Sequence, residues 1–144
     1  MSANILVTGG AGYIGSHACK ALAGAGYVPV TIDNLVYGHR EMVKWGPFIK
    51  GDLANGELLR QVMRDYQVQA VMHFAAYAYV GESVLNPKIY YRNNVAGTLS
   101  LLESMNSCNI DKIIFSSTCA TYGMPDQIPI AENHPQIDRI PGRS

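Results

Sequence analysis

Charge is what this sequence has least of. Acidic and basic residues make up 15% of its 144 positions, and eleven of each cancel to a formal net charge of zero. Lys and Arg gather into no basic stripe, so nucleic-acid binding lacks its electrostatic footprint. Cysteine is also scarce: Cys19, Cys108 and Cys119 are an odd number without CxxC spacing. They read as buried or partly buried thiols in a reducing compartment, with no disulfide or metal role. No signal-like apolar segment precedes the first apolar run, and no run approaches the ~20 residues of a membrane span. A cytoplasmic protein with no membrane partner is the expectation. Repeats and low-complexity stretches are missing too. What remains is 48% hydrophobic, which suits a well-buried α/β interior. The length fits one domain and is too short for a nucleotide domain plus a separate substrate domain.

The glycines are not scarce, and they are placed. Asn4–Thr8 is a short, mostly apolar run that reads as a strand buried on both faces of a parallel sheet. It leads into Thr8-Gly9-Gly10-Ala11-Gly12-Tyr13-Ile14-Gly15, with an acid, Asp33, closing the next strand, Val28–Ile32. That order is the fingerprint of a dinucleotide site. Gly10 is expected to permit the tight turn, Gly12 to let backbone approach a pyrophosphate, and Gly15 to let the helix pack close to the strand. The helix, Tyr13 to about Ala25, aims its unpaired N–H groups at the phosphates. A glycine-rich loop alone could be a flexible turn, but strand, glycines, helix, strand and acid in one unit outweigh that reading. Asp33 can accept both ribose hydroxyls and would repel a 2′-phosphate, so NAD is favoured over NADP. His39 and Arg40 could serve a 2′-phosphate, and Asp33 opposes it.

The strand and helix alternation continues, predicting a three-layer, Rossmann-like doubly wound parallel sheet of about five strands. Pro47–Lys50 is the third strand, with Gly51-Asp52-Leu53 at its tip, within reach of an adenine ring. Asp52 can equally start the helix Glu57–Tyr66, whose Leu58, Leu59, Val62 and Met63 form an apolar stripe. Ala70–Ala76 is the fourth strand. His73 within it reads as a satisfied core or strand-end histidine, since no second ligand stands at metal spacing. Phe74, Ala75 and Ala76 suit close passage of a cofactor. Asn86-Pro87 predicts a helix start, running to about Met105, with Asn93 either exposed or facing the cofactor edge. Lys112–Thr118 is the fifth strand. Its terminal Ser116, Ser117 and Thr118 are placed to touch substrate or nicotinamide, or to bond locally to backbone. Prolines 125, 129, 135 and 141 mark an irregular loop.

Six segments in register carry a family resemblance. Thr8–His17 (TGGAGYIGSH), Asp33-Asn34, Gly51-Asp52-Leu53, His73–Ser83 (HFAAYAYVGES), Tyr90–Thr98 (YYRNNVAGT) and Phe115–Gly123 (FSSTCATYG) together resemble the UDP-glucose 4-epimerase family of extended short-chain dehydrogenases/reductases. The resemblance covers about residues 3 to 136. It implies one tightly held NAD, regenerated within each turnover. Hydride leaves sugar carbon 4 for the nicotinamide while a tyrosine phenolate takes the hydroxyl proton, and the 4-keto sugar turns over and takes hydride back. A lysine four residues after the tyrosine lowers the phenol's pKa, and a serine or threonine bonds the same sugar oxygen. By motif position Gly9, Gly12, Tyr13, Ile14, Gly15, Asp33, Asn34, Asp52, Leu53, Phe74, Ala75 and Asn93 would bind NAD. Thr118 would be the hydroxyl partner, with Ser116 beside the nicotinamide. Ala78 falls where some members carry a cofactor-contacting lysine.

The resemblance then stops. Where the family continues into Pro-Tyr-Gly-(Arg/Lys)-Ser-Lys, this sequence reads Pro141-Gly142-Arg143-Ser144. The tyrosine is missing from that position and the lysine would fall beyond it. Tyr122 does not substitute, because Asp126 stands four residues on. The expectation is a truncated NAD-binding domain over 1–136, with no C-terminal substrate domain and no catalysis by itself, followed by a non-native tail or cloning scar over 137–144. Its partners would be NAD or an adenine nucleotide, with a UDP-sugar bound only by a full-length parent. Apolar surface exposed by truncation predicts a homodimer or swapped, self-associating fragment.

Overall fold

A computed structural model describes residues 2–123, 125 and 127–135. The expected tail, 137–144, lies outside the described residues.

Five parallel strands, β1 (Asn4–Thr8), β2 (Val28–Asp33), β3 (Phe48–Lys50), β4 (Val68–His73) and β5 (Ile113–Phe115), form one sheet in the order β3-β2-β1-β4-β5. The chain steps outward from β1 through β2 to β3, then returns across the sheet to β4 and steps the other way to β5. The direction reverses between β1 and β4, which is where doubly wound sheets open a ligand crevice. Thr8 pairs with Ile32 on one side and His73 on the other, so three strands end at the same level.

The strands are near-continuously apolar because helices cover both faces. On one face Leu6, Val30, Ile32 and Val71 pack with Leu59, Val62 and Met63 of α2 (Gly56–Asp65) and Leu101 and Met105 of α5 (Gly97–Ser107). On the other, Ile5 and Val7 meet Cys19 and Leu22 of α1 (Tyr13–Gly24). Cys19 and Cys108 are free thiols, the first buried and the second half-buried; the side chain of Cys119 lies outside the described residues. No described helix is long and apolar enough to cross a membrane.

Several expectations are corrected in detail. The positive φ of the first turn falls on Gly9 (71°), not Gly10, whose added Cβ would instead meet the Thr31 side chain at 2.8 Å. Asn55, not Asp52, caps α2, accepting the Leu58 N–H at 3.0 Å, because Asp52 is spent on the Ala54 N–H at 2.9 Å and on Asn34. The helix expected from Asn86 is preceded by α3 (Val80–Leu85) and built in three joined pieces: α4 (Pro87–Tyr90), a π-helical segment (Tyr91–Ala96) and α5. The Asn86 side chain makes no capping bond there. β4 starts earlier and ends at His73, leaving Phe74 to Ala76 beyond it. β5 holds three residues rather than seven, pairing among the described residues with β4 alone, and Ser117 just past it turns to φ 61°.

Candidate cofactor site

The level strand ends and the glycine turn line an open cleft of about 100 Å³. The Gly9 N–H donates to the Ile32 carbonyl at 2.9 Å and the Gly12 N–H to the Gly9 carbonyl at 3.1 Å, folding the turn tightly onto β2. A Cβ on Gly9 would strike the Ala75 nitrogen at 2.7 Å, and one on Gly15 would collide with the Gly9 carbonyl oxygen. Only hydrogen fits at either position. Helix α1 begins at Tyr13 with no side-chain cap, and its first intrahelical donor in the turn is the Ser16 N–H, bonded to Gly12 at 3.0 Å. Its leading amides therefore present an anion site.

Asp33 is nearly buried at the tip of β2, and its carboxylate braces the turn. One oxygen accepts the Ala11 N–H at 3.0 Å and the other the Leu35 N–H at 2.8 Å. Each oxygen keeps a lone pair for a ligand hydroxyl. Asp52 lies across from it, bonded to the Asn34 amide at 2.9 Å. Arg40 is placed over the Phe48 ring, 4.6 Å from its centroid.

His73 joins the two sides of the switch point. Its Nδ1 lies 2.6 Å from Thr8 Oγ1, and its Nε2 lies 3.0 Å from Thr98 Oγ1, whose hydroxyl donates to the Asn94 carbonyl at 2.7 Å. Since the Thr98 proton is used there, Nε2 carries the imidazole proton and Nδ1 accepts from Thr8. The ring is a neutral, satisfied core group, and burial holds its pKa below the ordinary imidazole value. Asn94 next grips Tyr77 by its backbone, accepting from the N–H at 2.8 Å and donating to the carbonyl at 2.9 Å. The π-helical turn makes this possible by bringing the neighbouring Asn93 to the cleft, with its amide 2.9 Å from Asn94 Oδ1. π turns recur at such functional places.

Of the residues singled out in the sequence, Gly9, Gly12, Asp33, Asn34, Asp52, Leu53, Phe74, Ala75 and Asn93 line this cleft together. Tyr13 and Ile14 stand outside it on the exposed first turn of α1, and Gly15 is buried beneath that turn. Ser116 and Thr118 lie past β5 and are not among the lining residues. The Ser116 N–H donates to the His73 carbonyl at 3.3 Å. Sequence reasoning missed Tyr37, Gly38 and Tyr77, which also line the cleft. They sit on loops, where no periodicity marks a side chain.

The tyrosines form a cluster at the cleft mouth. Tyr37 lies edge-on to Tyr77 and Tyr79, with ring centroids 5.1 Å apart in each pair. Its hydroxyl donates to Glu82 at 2.7 Å. The Tyr90 hydroxyl is 2.7 Å from the same Glu82 oxygen and 2.8 Å from the Tyr79 carbonyl. The Tyr37 and Tyr90 bonds hold the Glu82 carboxyl below its usual range. The carboxylate pushes the Tyr37 phenol up, while desolvation and then Glu82 raise that of Tyr90.

A doubly wound sheet whose switch point carries a glycine turn, an uncapped helix start and an acid on the second strand defines a Rossmann-type dinucleotide-binding domain. The chain belongs to the NAD dependent epimerase/dehydratase family, whose model matches residues 5–140. It is 54% identical over 133 residues to the UDP-glucose 4-epimerase of Rhizobium meliloti, a match covering 92% of this chain and 40% of that protein. Among solved structures it is similar to UDP-glucose 4-epimerase from Brucella ovis in complex with NAD (53% identity, TM-score 0.82, 94% of this chain and 42% of that one). It is also similar to the Thermotoga maritima enzyme with UDP-glucose (35% identity, TM-score 0.79, 93% and 44%). The chain thus spans about two fifths of the length of the relatives it matches. The family is NAD-dependent.

Proposed function

We propose that the cleft binds NAD and that this chain is the NAD-binding part of a UDP-glucose 4-epimerase, the activity that its relatives are named for. The observation that carries the reading is the convergence of the glycine turn, Asp33, Asp52, Phe74 and Asn93 on one cleft. The leading amides of α1, from Tyr13, Ile14 and Gly15, face the pyrophosphate. Asp33 accepts the adenosine ribose hydroxyls while Asn34, Asp52 and Leu53 flank the adenine. Phe74, Ala75 and Asn93 line the path toward the nicotinamide, near which Ser116 lies, and Thr118 serves as hydroxyl partner to the sugar oxygen. Bound NAD supplies the hydride acceptor at sugar carbon 4. The tyrosine and lysine that move the proton have no counterparts among these 144 residues, so the chain by itself binds without turning over.

Calorimetric titration tests the binding. NAD should give saturable heat, NADP much less, and Asp33→Asn should weaken NAD by about tenfold or more; a wild-type chain that gives no heat with NAD overturns the reading. UDP-galactose conversion at the rate of a full-length epimerase would overturn the predicted inactivity. A second reading rests on the exposed Ile113, Ile114 and Phe115 of β5: two copies associate across this open edge, and a monomer by light scattering at high concentration refutes it.

A further inference from the structure

The cleft has two banks that the chain reaches at different times. One carries Asp33 and Tyr37, just past β2, and the other carries Phe74 and Tyr77, just past β4. Adjacent banks of a crevice need not touch at the mouth, yet here they do. The Tyr37 ring meets Tyr77 and Tyr79 of the opposite bank, and its hydroxyl reaches on to Glu82 of α3. Glu82 is tied in turn to Tyr90 of α4. The far bank is held to the sheet independently, through Asn94 and Tyr77 and the hydroxyl relay at His73.

We infer that Tyr37 and Glu82 form a strap across the cleft mouth that retains a bound dinucleotide. This rests on the cleft being the NAD site. Release requires the strap to part, because the ligand lies between the banks that Tyr37 joins. The two sides are a phenol and a carboxylate, so the link is a charge-assisted hydrogen bond backed by ring contacts. It is partly exposed, with Tyr37 40% accessible. A link open to water on one side can part without unpacking the core.

The strap predicts faster dissociation without loss of fold. Etheno-NAD loaded on the protein and chased with excess NAD in stopped flow reads the dissociation rate. Tyr37→Phe, which removes only the bond to Glu82, should speed release about three- to tenfold, and Tyr37→Ala, which also removes the ring contacts, should speed it further. Association should be unchanged or faster, and the melting temperature of the ligand-free protein should stay within a degree or two of wild type for Tyr37→Phe. Tyr27→Ala, an exposed tyrosine remote from the cleft lining, serves as control. A wild type that binds etheno-NAD while Tyr37→Phe releases it at the wild-type rate overturns the strap alone. A wild type that binds no etheno-NAD overturns the cofactor reading and the strap with it. Should Tyr37→Ala fail to fold, Tyr37→Phe decides.

Discussion

Strands β1 and β5 stand two positions apart in one parallel sheet, and their side chains meet different surroundings. Leu6 and Val7 are fully buried, whereas Ile114 and Phe115 are 60% exposed. Composition does not separate them, since both are short apolar runs ended by small polar or flexible residues. Coverage does. β1 has a strand on each side and helices on both faces, while among the described residues β5 pairs with β4 alone. Between α1 and β5 the sheet surface stays open as a hollow of about 660 Å³ lined by Ile5, Ala70, Met72 and Ile114. The difference teaches that burial here follows coverage: the covered strands carry the core, and the uncovered one leaves its apolar side chains exposed. The cleft belongs to the covered strands.

The comparison is sharpest in stability. Leu6→Ala should cost about 3 to 5 kcal/mol, because the site is closed on all sides and leaves a cavity, while Ile114→Ala should cost less than about 1 kcal/mol. Urea unfolding of the two variants side by side checks this, and equal losses would break the contrast. His73, at the boundary between covered and uncovered strands, gives the next largest effect. Its folded pKa is depressed by burial, so above about pH 6.5 the ring is neutral in both folded and unfolded chains. As pH falls through 6.5 the unfolded chain takes up a proton that the folded one refuses. Stability is then lost at up to about 1.4 kcal/mol per pH unit until the folded pKa is reached. His73→Gln should flatten that slope between pH 7 and 5.5, and an unchanged slope would assign the acid sensitivity elsewhere. The smallest effect belongs to the open edge. Ile114→Lys should alter stability by no more than about 0.5 kcal/mol while reducing association by sedimentation velocity, since a lysine on an edge strand opposes pairing.

Much of the covered half was legible in the sequence because its rules are local. Three spaced glycines, a following helix and an acid on the next strand each answer to a steric or electrostatic demand within about 30 residues. Nine of the residues drawn from those rules and from the family resemblance meet in one cleft. The misses came where tertiary context decides. The apolar and hydroxyl run predicts seven residues for β5, but a strand extends only as far as its partner, and β4 ends at His73 opposite Phe115. Gly9 rather than Gly10 takes the positive φ because the Ile32 carbonyl captures its N–H. The tyrosine strap left no trace in hydrophobic periodicity, since Tyr37, Tyr77 and Tyr79 lie on loops whose meeting depends on the sheet order.

The π-helical turn at Tyr91–Ala96 has one further consequence, and it concerns spacing rather than residue type. A π turn holds more residues than the α turn it replaces, and each residue rotates a helix by about 100°. Deleting a single residue between Pro87 and Asn93 would let the helix relax to regular pitch and swing Asn93 and Asn94 away from the cleft and from Tyr77. The count of residues between Pro87 and Thr98 is therefore itself under constraint, beside the identities of Tyr90, Asn93 and Asn94 that it places.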